Sequence, residues 1–181
     1  MAAKVGDADE RAPSSASLTA AARRLQEVCL QKGLTLALAE SCTGGLVAHV
    51  ITEISGSSAY LQGGIVAYSN AVKERELGVP ADVLHAHGAV SAQTARAMAE
   101  GVRRRLGVDL AASVTGIAGP DGGSDSKPVG LTYIAVADDR GADVRRYVWG
   151  FERSGNKRAS AGAALALLLE RAQALPERKG G

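Results

Sequence analysis

Ser41, Cys42 and Thr43 stand between an apolar run and two glycines in the stretch LTLALAESCTGG, residues 34–45. Glu40 precedes them, and an apolar-periodic segment, LVAHVITEI, follows. That order predicts strand, tight turn and helix, with the three side chains where the strand ends and the helix begins. Unpaired backbone N–H groups and the positive end of a helix dipole gather at such a corner. Gly44 and Gly45 carry no side chains, so a substrate can approach the main chain closely. The corner therefore suits a nucleophile with an oxyanion hole, or a cradle for phosphate. Ser41 needs a base to remove its proton, whereas a helix N-terminus would lower the thiol pKa of Cys42. Side chains alternate at a strand end, so the two should point differently, and the residues alone leave them level. Ser41 and Thr43 also read simply as helix caps.

The base is the next question. His49 falls inside the following helix, His85 and His87 fall in a short loop, and none has an evident carboxylate partner. A Ser-His-Asp triad is weakly supported, and no GxSxG surrounds Ser41. A lysine with a lowered pKa is the other known base. Lys73 follows AYSNAV in the turn after the second predicted strand. If that strand neighbours the first, Lys73 and Tyr68 reach the same edge as Ser41. Taken alone, Lys73 reads more readily with Glu74, Arg75 and Glu76 as a solvated helix face.

A second constellation is the loop TGIAGPDGGSDSKPVG, residues 115–130, with five glycines and two prolines. It lacks GxxxxGK[ST], yet its glycines can offer N–H groups to an anion. A loop this long in a compact domain is usually functional or disordered. Arg153 and Lys157, one helical turn apart, could meet a phosphate or carboxylate, or could be plain surface charges. Histidines and cysteines lack ligand spacing, and Asp121 and Asp125 are too sparse for a cation, so no metal and no cofactor are expected.

The elements that would position these groups follow from pattern and caps. Residues 1–16 read as a disordered tail. Ser17 is predicted to cap a first helix that closes at Gly33. Strands are predicted at about 35–39, 60–68, 109–114, 131–137 and 144–151, the last two a hairpin around DDRGAD. Asn70 is predicted to cap a short helix ending at Gly78-Val79-Pro80. Ser91 caps a long one that Gly107 ends, and the last helix covers about 154–174. Strands feed helices early and pair as a hairpin late. The expected fold is a three-layer α/β/α sandwich with a mixed, largely parallel sheet. It forms one domain over 17–176, with a flexible tail at 177–181.

Composition narrows the function classes. The 181 residues carry a net charge of +2 with basic residues spread along the chain, and 3% aromatics. Neither a basic face nor a set of stacking platforms is supplied, so a nucleic-acid partner is not expected. Two cysteines are too few for a disulfide framework. No apolar run reaches membrane-spanning length and no signal-peptide core is evident, so a cytoplasmic protein without membrane partners is expected.

The chain resembles the CinA C-terminal-domain family, the bacterial nicotinamide-mononucleotide amidohydrolases of the PncC type. The resemblance lies in AESCTGG (39–45), GGIVAYSNAVKERELGV (63–79), HGAVS (87–91), VTGIAGPDGG (114–123) and KPVGLTYIAV (127–136). In order and spacing it covers roughly Leu18 to Leu175. Five long motifs in register are far more specific than a lone glycine pattern.

The resemblance implies deamidation of nicotinamide mononucleotide to nicotinic acid mononucleotide with release of ammonia, in pyridine-nucleotide salvage. It implies Ser41 as nucleophile, Lys73 as base and Tyr68 as an aid to proton movement or orientation. Backbone groups around Thr43, Gly44 and Gly45, and the loop with Thr115, Gly116 and Gly119, would line the substrate site. Arg153 is the choice for the ribose phosphate. A small-molecule nucleotide substrate and a homo-oligomer are implied as partners. Family members often carry a glycine and a second arginine where this chain has Phe151 and Lys157, so anion contacts there are expected to be rearranged. The short polar lead is too small for the molybdopterin-binding-like domain of larger relatives, so a stand-alone form is expected. A non-catalytic nucleotide-binding module, or an amidohydrolase acting on another pyridine amide, are the alternatives.

Overall fold

Alternation of large and small residues decides how this chain builds its layers. The computed structural model describes residues 11–177 and the backbone of Lys4–Val5. Its elements are β1 (Lys4–Val5), α1 (Ser15–Lys32), β2 (Leu36–Glu40), α2 (Leu46–Thr52), β3 (Leu61–Val66) and α3 (Asn70–Leu77). There follow α4 (Ala81–His87), α5 (Ala92–Leu106), β4 (Leu110–Gly116), β5 (Leu131–Asp138), β6 (Gly141–Val148) and α6 (Arg153–Ala174). In β2, Leu36 and Leu38 join the core beneath α1, α2 and α6, while Ala37 and Ala39 join the core beneath α3, α4 and α5. Every residue of β2 is buried, which is what a central strand covered on both faces requires.

The six strands run in the order β1-β6-β5-β4-β2-β3. Pairings β1·β6, β2·β3 and β2·β4 are parallel, and β4·β5 and β5·β6 are antiparallel. With helices on both faces this is the expected three-layer sandwich with a mixed, largely parallel sheet. The chain leaves β2 through α2 on one face to reach β3. It returns through α3, α4 and α5 on the other face to β4. Both crossovers join parallel strands, and β2 lies between their ends. The carboxyl ends of β2, β3 and β4 therefore share one edge, the usual place for a ligand crevice.

Several boundaries differ from expectation. Ser14, not Ser17, caps α1, and Ser17 instead donates its N–H to Ser14 Oγ at 3.1 Å. Ser69, not Asn70, caps α3, accepting the Val72 N–H. In both cases two polar residues compete, and the one with extended backbone takes the cap. The last two strands meet in a tighter turn than DDRGAD implied, with Asp138 opposite Gly141. The tails expected at 1–16 and 177–181 lie largely outside the described residues, although Lys4–Val5 pair with β6 and the turn into α1 begins at Ser14.

Gly101 fixes how closely α5 backs α3, the helix that carries Lys73. A side chain there would overlap the carbonyl of Leu77, the last residue of α3. Gly101→Ala must push the two helices apart, and such overpacking costs about 1–3 kcal/mol. Thermal unfolding should register that loss, with a Tm within 1 °C of the parent counting against close backing.

Candidate active site

Ser41 is the first residue beyond the β2 ladder, and its N–H donates to the Val114 carbonyl of β4 at 2.9 Å. Lys73 sits in the first turn of α3, reached directly after β3. Its Nζ lies 3.1 Å from Ser41 Oγ. The same Nζ donates to the carbonyls of Ala67 (2.7 Å) and Tyr68 (3.3 Å). Lys73 is 1% exposed. Burial pulls its pKa down from the ordinary 10.5, and the nearby Cys42 acts against that shift. Among the described residues no carboxylate forms an ion pair with it. The two carbonyls can only accept, so they hold two of the N–H bonds and leave the third position of Nζ toward Ser41.

Cys42 is buried beside Ser41, and its thiol is pushed up to about 12, chiefly by desolvation. Glu40 adds to that rise, while Lys157 and Lys73 oppose it. The helix corner therefore does not make a thiolate. One reason is Glu40 itself, 2% exposed, whose carboxylate accepts the N–H groups of Gly45 (3.0 Å), Val47 (3.1 Å) and Ala48 (2.9 Å). Gly44 closes the turn by donating to the Ser41 carbonyl at 3.0 Å. Gly44 and Gly45 sit at φ 65° and 94°, where glycine is favoured. Their expected place against substrate does not materialise, because their N–H groups are already used and neither lines the cavity. Thr43 is likewise off the cavity, fully buried, with Oγ1 unpartnered among the described residues.

A cavity of about 280 Å³ opens over Ser41 and Lys73. Thr115, Gly116 and Gly119 line it, as does Arg153, whose Nη1 donates to the Gly119 carbonyl at 2.7 Å. Tyr68 lines it too, but its contact with Lys73 is through its carbonyl, and its side chain is 64% exposed. The ring is thus at the mouth, not in the Ser41–Lys73 contact. His49, His85 and His87 are exposed and line none of it. Lys157 is half-buried near Gly44, outside the lining, and Phe151 packs against Gly155. No group of three or more His, Cys, Asp or Glu gathers among the described residues in a way that could hold a metal.

Sequence reasoning missed part of the wall. Ala89 and Val90, from the HGAVS stretch, line the cavity, and Thr115 Oγ1 holds the Ala89 carbonyl at 2.7 Å. Ile117, Ala118, Asp121 and Gly122 line it as well, and they belong to the 114–123 loop expected to line the site. Asn156, buried at the start of α6, supports it by donating to the Ala118 carbonyl at 3.1 Å. Ala89 and Val90 are small or apolar residues in a loop, and nothing in their types signals a site. Glu40 was visible only as an acid ahead of the serine.

The chain is similar to known proteins in sequence and in fold. The family model described as "CinA C-terminal domain" matches residues 18–172. A CinA-like protein of Geobacter sulfurreducens is 56% identical over 153 residues, 84% of this chain and 36% of that protein. Another CinA-like protein, from Citrifermentans bemidjiense, is 57% identical over 68% of this chain and 30% of its own length. The chain thus spans about a third of the curated relatives it matches. Among solved structures, the competence/damage inducible protein CihA of Agrobacterium tumefaciens is similar, with a TM-score of 0.84 and 41% identity over 87% of this chain and 96% of that one. A CinA superfamily protein of Klebsiella pneumoniae also has a TM-score of 0.84, at 28% identity, covering 87% of this chain and 99% of that one. With nearly the whole described chain matched by the model, and every cavity-lining residue inside the matched span, this chain belongs to the CinA C-terminal domain family.

Proposed function

We propose that the chain is an amidohydrolase that deamidates nicotinamide mononucleotide through a Ser41/Lys73 acyl-enzyme. The observation that carries this reading is the 3.1 Å contact between Ser41 Oγ and a lysine amine with 1% exposure and no carboxylate partner among the described residues. Neutral Lys73 takes the Ser41 proton as Oγ bonds to the carboxamide carbon. The resulting ammonium returns that proton to the nitrogen as the C–N bond breaks and ammonia leaves. Water then attacks the acyl ester, gives its proton to Lys73 and regenerates Ser41. The cationic pyridinium ring withdraws electrons from its amide and assists the first attack.

Oxyanion donors must be N–H groups that are not already engaged. Those of Gly44 and Gly45 are taken. The N–H groups of Ala118 and Gly119 make no hydrogen bond among the described residues, and both residues line the cavity, whereas the Cys42 N–H is turned to its own thiol. Ala118 and Gly119 are therefore the candidate donors, and such a donor is typically worth ~3–4 kcal/mol in the transition state. At the rim, Arg153 supplies the positive charge for the phosphate. Tyr68 is placed to contact the ring or ribose from the mouth.

Ammonia release from nicotinamide mononucleotide is the direct assay. Ser41→Ala should abolish it while leaving the fold intact, and undiminished release would remove serine from the mechanism. Lys73→Arg keeps a cation that cannot lose its proton at working pH, so turnover should fall by about 10²–10⁴-fold, the usual contribution of a positioned base. In the parent enzyme only the neutral amine can act, so activity should rise with pH through the lowered pKa of Lys73. A rising limb at or above the ordinary lysine value of 10.5 would contradict the burial argument.

Thr43 gives a test of where the site ends. Its hydroxyl is buried without a partner, so the isosteric Thr43→Val should stabilise by about 1 kcal/mol, raising Tm by roughly 2–4 °C. Ammonia release should stay within twofold of the parent; a tenfold loss would return Thr43 to the substrate site.

A further inference from the structure

We infer that Glu40 is the positioning residue of the nucleophile turn, an inference that rests on the Ser/Lys reading above. Helix α2 starts without a side-chain cap, because its N-cap is Gly45. Glu40, five residues upstream on the last position of β2, supplies the acceptors instead. Its Oε2 takes the N–H groups of Gly45 and Val47, and its Oε1 takes that of Ala48. The carboxylate is buried with no cation paired to it among the described residues, so helix N–H dipoles carry its stabilisation.

The main chain of the same residue holds the other half of the site. Its carbonyl accepts the Ala67 N–H at 2.8 Å, and the Ala67 carbonyl accepts from Lys73 Nζ at 2.7 Å. Both ends of the Ser41–Gly44 turn are therefore pinned to one residue. Ser41 is held between a strand bond to Val114 and the clamped start of α2. An ordinary cap would affect only helix stability; this one fixes the distance between Ser41 and Lys73. Glutamine cannot replace it, because its NH₂ group would face backbone N–H groups where an oxygen now accepts. Aspartate is one methylene short of reaching both Gly45 and Ala48.

The test measures Ser41 itself, independently of any substrate. The parent, Ser41→Ala, Glu40→Gln, Glu40→Asp and the remote-cap control Ser14→Ala are reacted with a serine-directed fluorophosphonate. Labelling at Ser41 is followed by mass spectrometry, with circular dichroism fixing the folded fraction. Glu40→Gln is expected to label at least tenfold more slowly than the parent while folded. With nicotinamide mononucleotide, its kcat should fall by a similar factor, with KM within twofold. Ser14→Ala should label at the parent rate. Where Glu40→Gln does not fold, Glu40→Asp is expected to give the same slow labelling. Parent-like labelling of a folded Glu40 variant overturns the inference and leaves the Ser/Lys reading intact. Loss of fold in both Glu40 variants also overturns it, in favour of a purely structural carboxylate. A parent that labels no faster than Ser41→Ala overturns the Ser/Lys reading itself.

Discussion

A lysine amine buried with two carbonyls and a serine hydroxyl is the constraint on which the site depends. Removing an ammonium from water is costly, and the structure offers Lys73 acceptors but no carboxylate counter-ion among the described residues. The neutral form is favoured by that environment. The thermodynamic sign follows: with a folded pKa below the unfolded one, the unfolded chain binds more protons between the two values. Stability contributed through this group is thus least on the acid side and grows as pH rises toward 10.5. The lowered pKa costs stability on the acid side of 10.5, and in the proposed mechanism it holds an amine that can act as a base. That is the trade-off expected where function needs a group the fold would prefer to expose.

The choice between adjacent serine and cysteine shows how local rules are overridden by one buried charge. A helix N-terminus ordinarily stabilises a thiolate. At this corner the helix N–H groups point at the Glu40 carboxylate, which leaves less positive field for the sulfur and adds a negative charge beside it. Burial does the rest, and the Cys42 thiol stays protonated. Ser41, by contrast, has the buried Lys73 amine in contact. In the proposed mechanism the nucleophile would be selected by its partner across the strand edge, while the helix N–H groups are spent on holding the turn.

Much of the architecture was legible because it is written in local patterns. The LALA alternation, the cap at Ser91 and the stop at Gly107 each place an element within a residue or two. The pairing that matters most was not legible from residues alone. Whether β3 lies beside β2 is a property of topology, and Lys73 on a helix rich in charge looks like surface until that neighbour is known. Resemblance to a family supplied the pairing that periodicity could not. Glu40 was opaque for a different reason: carboxylates are seldom fully buried, and its acceptor role requires a helix start that returns over the strand end.

The cavity also divides chemically from floor to mouth. At its floor Ser41, Lys73 and Thr115 are buried. At its mouth Tyr68, Asp121 and Arg153 are exposed. Burial at the floor favours the neutral form of an amine, while an anion is better met at the mouth, where both charges keep part of their hydration. A substrate with an uncharged amide at one end and an anion at the other matches that division. The walls between are mostly main chain and small side chains, Gly116, Ala118 and Gly119 on one side and Ala89 and Val90 on the other. Such walls fix shape through backbone position, and backbone position here is set by hydrogen bonds from Thr115, Asn156 and Arg153 to carbonyls of the walls. Arg153 would therefore have two tasks in the proposed reaction. One of its nitrogens holds the Gly119 carbonyl, and the rest of the guanidinium makes no hydrogen bond among the described residues, so a phosphate docking there would tighten the loop that lines the cavity.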